Sequence, residues 1–254
     1  DASCEILERY RERDSRVKIF RQKNRYAGAA RNTGKAHAAG EYLVFWDCDD
    51  FFAPEALEQM YQRAKEYEAD ICVCGAFQYL QEKGEAFPVP GYMNKKRIPD
   101  EPVFSRETNQ RYILNFTNVP AWNKMYRREF VEKEALDFQP IRNGNDVFFT
   151  MNALCAAGRI TALETPLVYY RKNQKQSLMG TLSKAPFAPF RAWIDTAESL
   201  EEKGRLPEQS FVNAAVENMI FLLRNLPDRK AFLEVVRFLR EEGVEKLHIF
   251  EREE

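Results

Sequence analysis

The sequence predicts an α/β layered domain with a mostly parallel central sheet, followed by a helical extension. Helical and strand-like patterns alternate through the first two thirds of the 254 residues, which is the order expected when helices cover the faces of a sheet. The stretch "YLVFW" at residues 42–46 is continuously apolar, as in strands that are buried on both faces of a parallel sheet. From Pro186 onward the apolar spacing is helical throughout.

The first forty residues predict two helices with a short strand between them. The apolar residues of "SCEILERY" at 3–10 are spaced as one face of a helix. The stretch "RVKIFRQ" at 16–22 is typical of a short strand. Small and polar residues then predict a loop at 24–26 and a second helix that ends with Gly40 as its C-cap.

The next elements are predicted in the same way, from helical or strand-like spacing of apolar residues. Pro54 stands where the first turn of a helix tolerates proline, and Lys83–Pro102 is rich in proline, glycine and charge, which predicts a long loop. The other predicted elements are a helix at 56–67, a strand at 69–80, a helix at 106–116, a strand or turn leading into a helix at 120–133, a helix at 145–158 and a strand at 160–172.

Composition excludes several classes of protein. The net charge is −1, which argues against a nucleic-acid binder that works through a general basic field. No run of about 18 apolar residues exists, so no segment is expected to span a membrane. The five cysteines are scattered along the chain, as expected of reduced thiols in a cytoplasmic protein.

Three carboxylates follow the apolar stretch directly, at Asp47, Asp49 and Asp50. Carboxylates this close together repel one another, so a positive partner is expected. In an extended segment Asp47 and Asp49 point the same way and Asp50 the other way. Ligands bind outside the carboxyl ends of strands in open α/β sheets, and oxygen ligands suit Mg²⁺ or Mn²⁺. The motif predicts a metal–diphosphate site; alternatively, Asp49 and Asp50 cap the helix near Pro54.

The surroundings of these carboxylates resemble the donor-site half of family 2 glycosyltransferases, which have the GT-A fold. The matching elements are Asn24, "ARNTG" at 30–34, "GEY" at 40–42, "DCDD" at 47–50, "WNKMYRREF" at 122–130, "NDVFF" at 145–149 and "YYRKNQKQS" at 169–177. The resemblance implies a GT-A catalytic domain over residues 1–180 and a helical C-terminal extension over residues 186–254.

The resemblance also implies how a sugar donor is held. Asp47 would hold the ribose side of the donor nucleotide, and Asp49 would ligate the Mn²⁺ or Mg²⁺ that bridges the diphosphate. Arg31 would lie near the nucleotide-sugar, and Arg171 near the diphosphate. The expected donor is a nucleotide-diphosphate sugar, with a UDP-sugar favoured.

On the acceptor side, the resemblance implies a base and two further contacts. Asp146 would be the catalytic base for a hydroxyl of a glycan or lipid-linked acceptor, and a single base opposite the leaving group gives inversion. Trp122 would help to form the acceptor side. Where the family usually has Glu-Asp, this chain has Asn145-Asp146, so Asn145 takes the place of the acceptor-orienting acid.

The start of the chain resembles an internal point of the family pattern. "DASCEIL" aligns with the end of the family's D-D-G-S-x-D-x-S-x-E-I-L stretch. The resemblance therefore implies that the first strand, the first helix and the nucleotide-base aspartate of the natural protein precede Asp1. A βαβ opening takes about 30 residues or more.

Other classes of protein fit the residues less well. "GAARNTGKA" at 28–36 has five residues between its glycines rather than four and lacks a Ser or Thr after Lys35, which disfavours a P-loop. Neither His37 nor His248 stands beside a nucleophile, which disfavours a Ser-His-Asp hydrolase. The alternative that stays open is a non-catalytic nucleotide-sugar- or glycan-binding module with the same fold.

The C-terminal helices bear on partners and location. "MIFLLRNL" at 219–226 and "FLEVVRFLREEG" at 232–243 are amphipathic. Packing on the domain, or on a second copy of the chain to give a homodimer, is favoured over a membrane surface. The expected location is the cytoplasm, with peripheral association at the inner membrane face left open. Bacterial surface polysaccharide or glycolipid synthesis is the family's common setting.

Overall fold

A mixed β-sheet lies at the centre of the protein. The computed structural model describes residues 2–172, 179–226 and 228–249. Within these residues the strands are β1 (Tyr42–Val44), β2 (Phe51–Phe52), β3 (Ile71–Leu80), β4 (Glu85–Pro88), β5 (Lys124–Arg127) and β6 (Ile160–Lys172). Their order across the sheet is β1-β5-β3-β6-β2, and β4 pairs with β3 away from this path.

The prediction that the sheet is mostly parallel was wrong for the described strands. β3 and β6 pair in parallel, whereas β1 with β5, β2 with β6, β3 with β4, and β3 with β5 are antiparallel. β1, β3 and β6 nevertheless share one direction, because β5 runs against both of its neighbours. Alternation of strands and helices along the chain predicts this common direction, but it does not reveal that a later strand lies between β1 and β3.

The helices lie where apolar spacing predicted most of them. They are α1 (Ser3–Arg13), α2 (Tyr26–His37), α3 (Ala56–Glu66), α4 (Arg128–Lys133), α5 (Asn145–Ala156), α6 (Ala188–Glu202), α7 (Glu208–Arg224), α8 (Arg229–Phe238) and α9 (Val244–Lys246). One turn of π-helix, Leu239–Gly243, joins α8 to α9. Among the described residues, no helix combines the length and the apolar character needed to cross a membrane.

Several local predictions were wrong because tertiary contacts outweighed local pattern. Residues 16–22 form no strand, since no strand of the described sheet lies beside them. Residues 106–116 form successive turns rather than a helix, and the Leu114 N–H of this segment donates to Ser210 Oγ of α7 at 2.9 Å. The predicted long loop contains β4. α2 ends before Gly40, so this glycine is not its cap.

The C-terminal helices share a core with the α/β domain. One cluster of buried apolar side chains includes Leu43 of β1, Phe149 of α5, Trp193 of α6, Phe211 of α7 and Val235 of α8. Packing of the extension on the domain, one of the expected arrangements, is therefore present. The division of the chain near residue 180 stays a prediction.

Alternate residues of β3 serve the two faces of the sheet. Ile71 and Val73 belong to the large cluster, whereas Cys72 and Cys74 belong to a smaller one that also contains Trp122. Both cysteines are fully buried. The site described next lies at the ends of strands that this two-sided core holds in place.

Candidate active site

A tight turn after β1 brings three carboxylates together. Oxygens of Asp47, Asp49 and Asp50 all lie within 4.8 Å of one another. The Asp50 N–H donates to the Asp47 carbonyl oxygen at 3.2 Å, so the backbone turns here instead of staying extended. Strand alternation had placed Asp50 on the opposite side, and that expectation was wrong because the turn reverses its direction. The result is a cluster of oxygen ligands of the kind that divalent cations bind.

Asp50 is held by the last strand of the sheet. β2 pairs with β6, and the Arg171 backbone N–H donates to Asp50 Oδ1 at 2.9 Å. α3 begins without any side-chain cap, so neither Asp49 nor Asp50 caps this helix. Burial, with the nearby charges of Asp49 and Asp47, raises the pKa of Asp50 to about 7 against the opposing effect of the Arg171 N–H. Asp50 therefore titrates near neutral pH.

Arg31 of α2 is the positive partner of the cluster. Its guanidinium donates through Nη2 to Asp47 Oδ1 at 2.6 Å, and through Nη1 to Asn145 Oδ1 at 2.6 Å and to Asp146 Oδ1. Only 11% of its side chain is exposed, and the guanidinium lies over the Phe138 ring. Burial by itself lowers the pKa of Arg31, but Asp146 and Asp47 outweigh it and raise the pKa above its usual value. One arginine thus bridges the expected donor and acceptor sides.

Two features of α2 bring Arg31 to Asp146. A Cβ at Gly28 would lie 2.0 Å from the Gln139 carbonyl oxygen, so only glycine lets α2 approach this segment so closely. Asn32 donates to the Phe138 carbonyl oxygen at 2.8 Å and accepts from the Phe138 N–H at 2.9 Å. The chain then reaches α5 through Gly144, whose φ of +78° favours glycine.

Asp146 lies in the first turn of α5, where 20% of its side chain is exposed. The N-cap of α5 is Gly144, without a side-chain cap, so Asp146 is not the cap of its helix. Its carboxylate accepts a hydrogen bond from Arg31. Burial raises the pKa of Asp146, while Arg31 opposes the increase. The neighbouring Asn145 is buried and accepts from Arg31.

The side chains of two other predicted residues, Trp122 and Arg171, make contacts other than the expected ones. Trp122 is 3% exposed, and its ring stacks on Tyr170 with 5.8 Å between centroids. In this geometry it is a core residue, and its acceptor contact stays a prediction. The Arg171 guanidinium donates to Gln81 Oε1 at 3.0 Å, so its backbone, rather than its side chain, contacts the aspartates. The rest of the matching motif, 173–177, lies outside the described residues.

The sequence reasoning missed Lys124, the first residue of β5. It is fully buried, and its ammonium donates to the carbonyl oxygens of Asn118 and Pro120 and to Asn123 Oδ1. Burial lowers the pKa of Lys124 to about 7, and Asp146 opposes the decrease. A lysine within the otherwise apolar start of a strand was the signal that could have identified it.

Comparison with known proteins gives matches in both sequence and structure. Residues 1–134, more than half of the chain, match the profile of "Glycosyl transferase family 2". The uncharacterized glycosyltransferase EpsJ of Bacillus subtilis is 30% identical over 74% of this chain and 53% of its own length. The cholesterol galactosyltransferase of Borreliella burgdorferi is 30% identical over 73% of this chain and 51% of its own length. This chain therefore spans about half the length of these curated relatives.

Solved structures share the fold. Residues 1–349 of TarS from Staphylococcus aureus, crystallised in complex with UDP-GlcNAc, align with a TM-score of 0.56 and 18% identity. The alignment covers 97% of this chain and 77% of that one. At this level of identity the likeness concerns the fold, and it confirms the predicted GT-A-type α/β architecture with its helical C-terminal region.

Proposed function

The chain belongs to glycosyltransferase family 2, and from this premise we propose that it transfers a sugar with inversion from a nucleotide-diphosphate donor, favouring a UDP-sugar, to a glycan or lipid-linked acceptor. One observation carries the proposal: Arg31 joins a cluster of three carboxylates to a fourth, Asp146, which is largely buried. A displacement needs charge stabilisation at the leaving diphosphate and proton removal at the acceptor hydroxyl. The carboxylate cluster suits the stabilisation of the leaving diphosphate, and Asp146 suits the removal of the proton.

The carboxylate cluster fits a divalent cation. Its donors are all oxygens, they lie within 4.8 Å of one another, and Asp49 is exposed, as Mg²⁺ or Mn²⁺ with retained water requires. Asp49 would be the main ligand, with Asp50 beside it and Asp47 toward the ribose. When bound, the cation would supply positive charge to the departing diphosphate. Arg31 would face the nucleotide-sugar, and Arg171 the diphosphate.

Asp146 has the environment of a general base. Its position at the start of a buried helix and its bond from Arg31 restrict the carboxylate, and a fixed base reacts more readily. Burial raises its pKa, and a base is most effective when its pKa lies near the working pH. The Asp146 carboxylate would take the hydroxyl proton while the acceptor oxygen bonds to the anomeric carbon and the nucleoside diphosphate leaves from the opposite face.

The setting belongs to the same proposal. The curated relatives described above are bacterial glycosyltransferases, and bacterial surface polysaccharide or glycolipid synthesis is the setting we propose for this chain. A cytoplasmic location and peripheral contact with the membrane are predictions. Homodimerisation is also a prediction: Phe221 of α7 and Leu233 of α8 are exposed, but nothing described here covers them.

The test is the release of UDP from a panel of UDP-sugars, including UDP-GlcNAc, with Mn²⁺ and the variant Asp146→Asn. This change keeps the size of the side chain and an oxygen that can accept from Arg31, but it removes the basicity. We expect unchanged UDP binding and at least about 10²-fold slower turnover, as is typical after loss of a general base. Asp137→Asn is the matched control, because Asp137 is 65% exposed and pairs with Lys35, and it should turn over at the wild-type rate.

The outcomes separate the candidate functions. If Asp146→Asn is as active as the wild type, Asp146 is not the base. If the wild type binds UDP with Mn²⁺ but turns over no donor in the panel, with or without added glycan acceptors, a non-catalytic nucleotide-sugar-binding module is the better description.

A further inference from the structure

The outer side of α8 exposes apolar side chains. The inner side packs on the domain, where Ala231 and Val235 are buried. On the outer side Leu233 is 54% exposed, and Phe232 and Val236 are exposed as well. The spacing of these three residues places them together on the helix surface. Single exposed apolar residues are common on proteins, but three on one side of a ten-residue helix form a patch that indicates a contact.

Cations stand on the same outer side of α8. Arg229 lies four residues before Leu233, and Arg237 lies four residues after it, so these three residues form one stripe along the helix. Both arginines are exposed. Glu234 is the single carboxylate of α8, and it lies 4.0 Å from Lys230, which leaves the stripe with a net positive charge. The outer side of α8 is therefore both apolar and cationic.

A second copy of the chain fits this surface poorly. In a two-fold contact the same surface of each copy faces the other, which would bring the arginines of the two copies close together. The area is small as well. A helix of ten residues is about 15 Å long and about 10 Å wide, so it covers about 150 Å², whereas a stable interface buries about 800 Å² on each partner.

An anionic lipid surface fits both features. An amphipathic helix can lie in the plane of a membrane with its apolar side chains at the boundary of the acyl chains. Its cations then stand among anionic headgroups, which attract them, and a guanidinium pairs well with phosphate. The inner side of α8 stays anchored meanwhile, because the Phe238 ring packs against Phe187 with 5.5 Å between centroids. The helix can therefore contact a membrane while it remains docked on the domain.

We propose that the outer side of α8 binds the surface of an anionic lipid bilayer, with the helix lying among the headgroups, through Arg229, Phe232, Leu233, Val236 and Arg237. None of these residues belongs to the candidate active site. Such binding would bring the chain to the membrane in which a lipid-linked acceptor is anchored. Lipid binding is measured without donor or acceptor, so its outcome does not depend on whether the chain transfers a sugar.

The test is cosedimentation of the protein with vesicles of phosphatidylcholine and phosphatidylglycerol in equal parts, and with vesicles of phosphatidylcholine alone. We expect binding to the anionic vesicles that weakens as salt is added, and little binding to the neutral ones. Leu233→Ser should lower the partition coefficient by about tenfold or more, because a leucine leaves the acyl boundary. Arg229→Gln combined with Arg237→Gln should lower it by about thirtyfold, since each cation contributes roughly fivefold near an anionic surface.

Two matched controls change similar side chains elsewhere. Leu57→Ser on α3 is the apolar control, because Leu57 is 48% exposed and has no cation four residues away on either side. Lys65→Gln combined with Lys95→Gln removes the same charge from two exposed positions. Both controls should bind the anionic vesicles as the wild type does. All the changed side chains are exposed, so each variant should keep the fold, and melting curves check this.

Several outcomes would overturn the proposal. The first is that the wild type does not bind the anionic vesicles, and the second is that the α8 variants bind them as well as the wild type does. Val236→Ser repeats the apolar change at a second exposed position, in case Leu233→Ser fails to fold. The third is a dimer, seen by light scattering, that Leu233→Ser dissociates, because α8 would then contact a second copy. UDP release by the wild type without vesicles tests the proposed function separately.

Discussion

Replacing Arg31 by methionine should destabilise the protein in a manner that depends on pH. Arg31 is the shared partner of Asp47, Asn145 and Asp146. Methionine fills most of the volume of the arginine stem but leaves both carboxylates without the guanidinium. The contact of the guanidinium with the Phe138 ring is lost as well, so the variant removes the charge, its hydrogen bonds and this one ring contact.

The magnitude follows from the burial of the two carboxylates. Removal of one partner of a fully buried ion pair costs about 3–5 kcal/mol. Here the Asp47 side chain is 36% exposed and can be solvated, whereas Asp146 is 20% exposed and can take up a proton instead of staying charged. Solvation of Asp47 and protonation of Asp146 both reduce the loss of stability to about 2–3 kcal/mol. For a chain of this size that corresponds to a melting temperature lower by roughly 5–10 °C.

Melting curves at about pH 5 and about pH 8 give the assay. Burial raises the pKa of Asp146 in the folded protein, so this carboxyl favours the folded state at low pH, and that contribution is lost as the pH rises through the folded pKa. Without Arg31 the folded pKa rises further. The variant should therefore lose most stability at the higher pH, where Asp146 has to be charged, and less at the lower pH, where it is neutral.

Arg16→Met is the matched control, because Arg16 is also bonded to an aspartate but is 89% exposed. Exposed pairs contribute about 0–1 kcal/mol, so its melting temperature should hardly change. The reasoning is refuted if Arg31→Met loses no more stability than Arg16→Met, or if it loses the same amount at both pH values.

Cation binding and helix packing provide two more predictions. Calorimetry should show that Asp49→Ala abolishes Mn²⁺-supported UDP binding. The affinity of the wild type for UDP with Mn²⁺ should weaken as the pH falls below about 7, because Asp50 has to lose its proton beside the cation. An affinity that does not depend on pH would remove Asp50 from the site. Gly28→Ala should lower the melting temperature, since its methyl group would meet the Gln139 carbonyl oxygen at 2.0 Å and overpacking costs about 1–3 kcal/mol. Gly34→Ala on the same helix meets nothing within 4 Å and should stabilise by up to about 1 kcal/mol; similar losses in both would contradict this account.

Much of the fold could be predicted because it depends on local periodicity. β3, α5 and β6 combine a clear apolar period with flanking turns, and the structure has them within a few residues of the predicted bounds. Segments 16–22 and 106–116 have equally plausible local patterns but lie in irregular structure. A strand exists only where another strand accepts its hydrogen bonds, and a helix is retained only where no tertiary contact competes for its backbone.

The amino-acid sequence by itself determined which reactive groups this protein has: a carboxylate motif after a buried strand, an arginine in the preceding helix, and an Asp at the start of α5. Only the tertiary structure decided how these groups meet. Arg31 and Asp146 are 115 residues apart, and their contact depends on how closely α2 approaches the segment before α5, which Gly28 and Asn32 control. The turn after β1 likewise decided that Asp50 joins the cluster. Local pattern fixes the direction of a side chain only within its own element, whereas a site is set by how the elements pack.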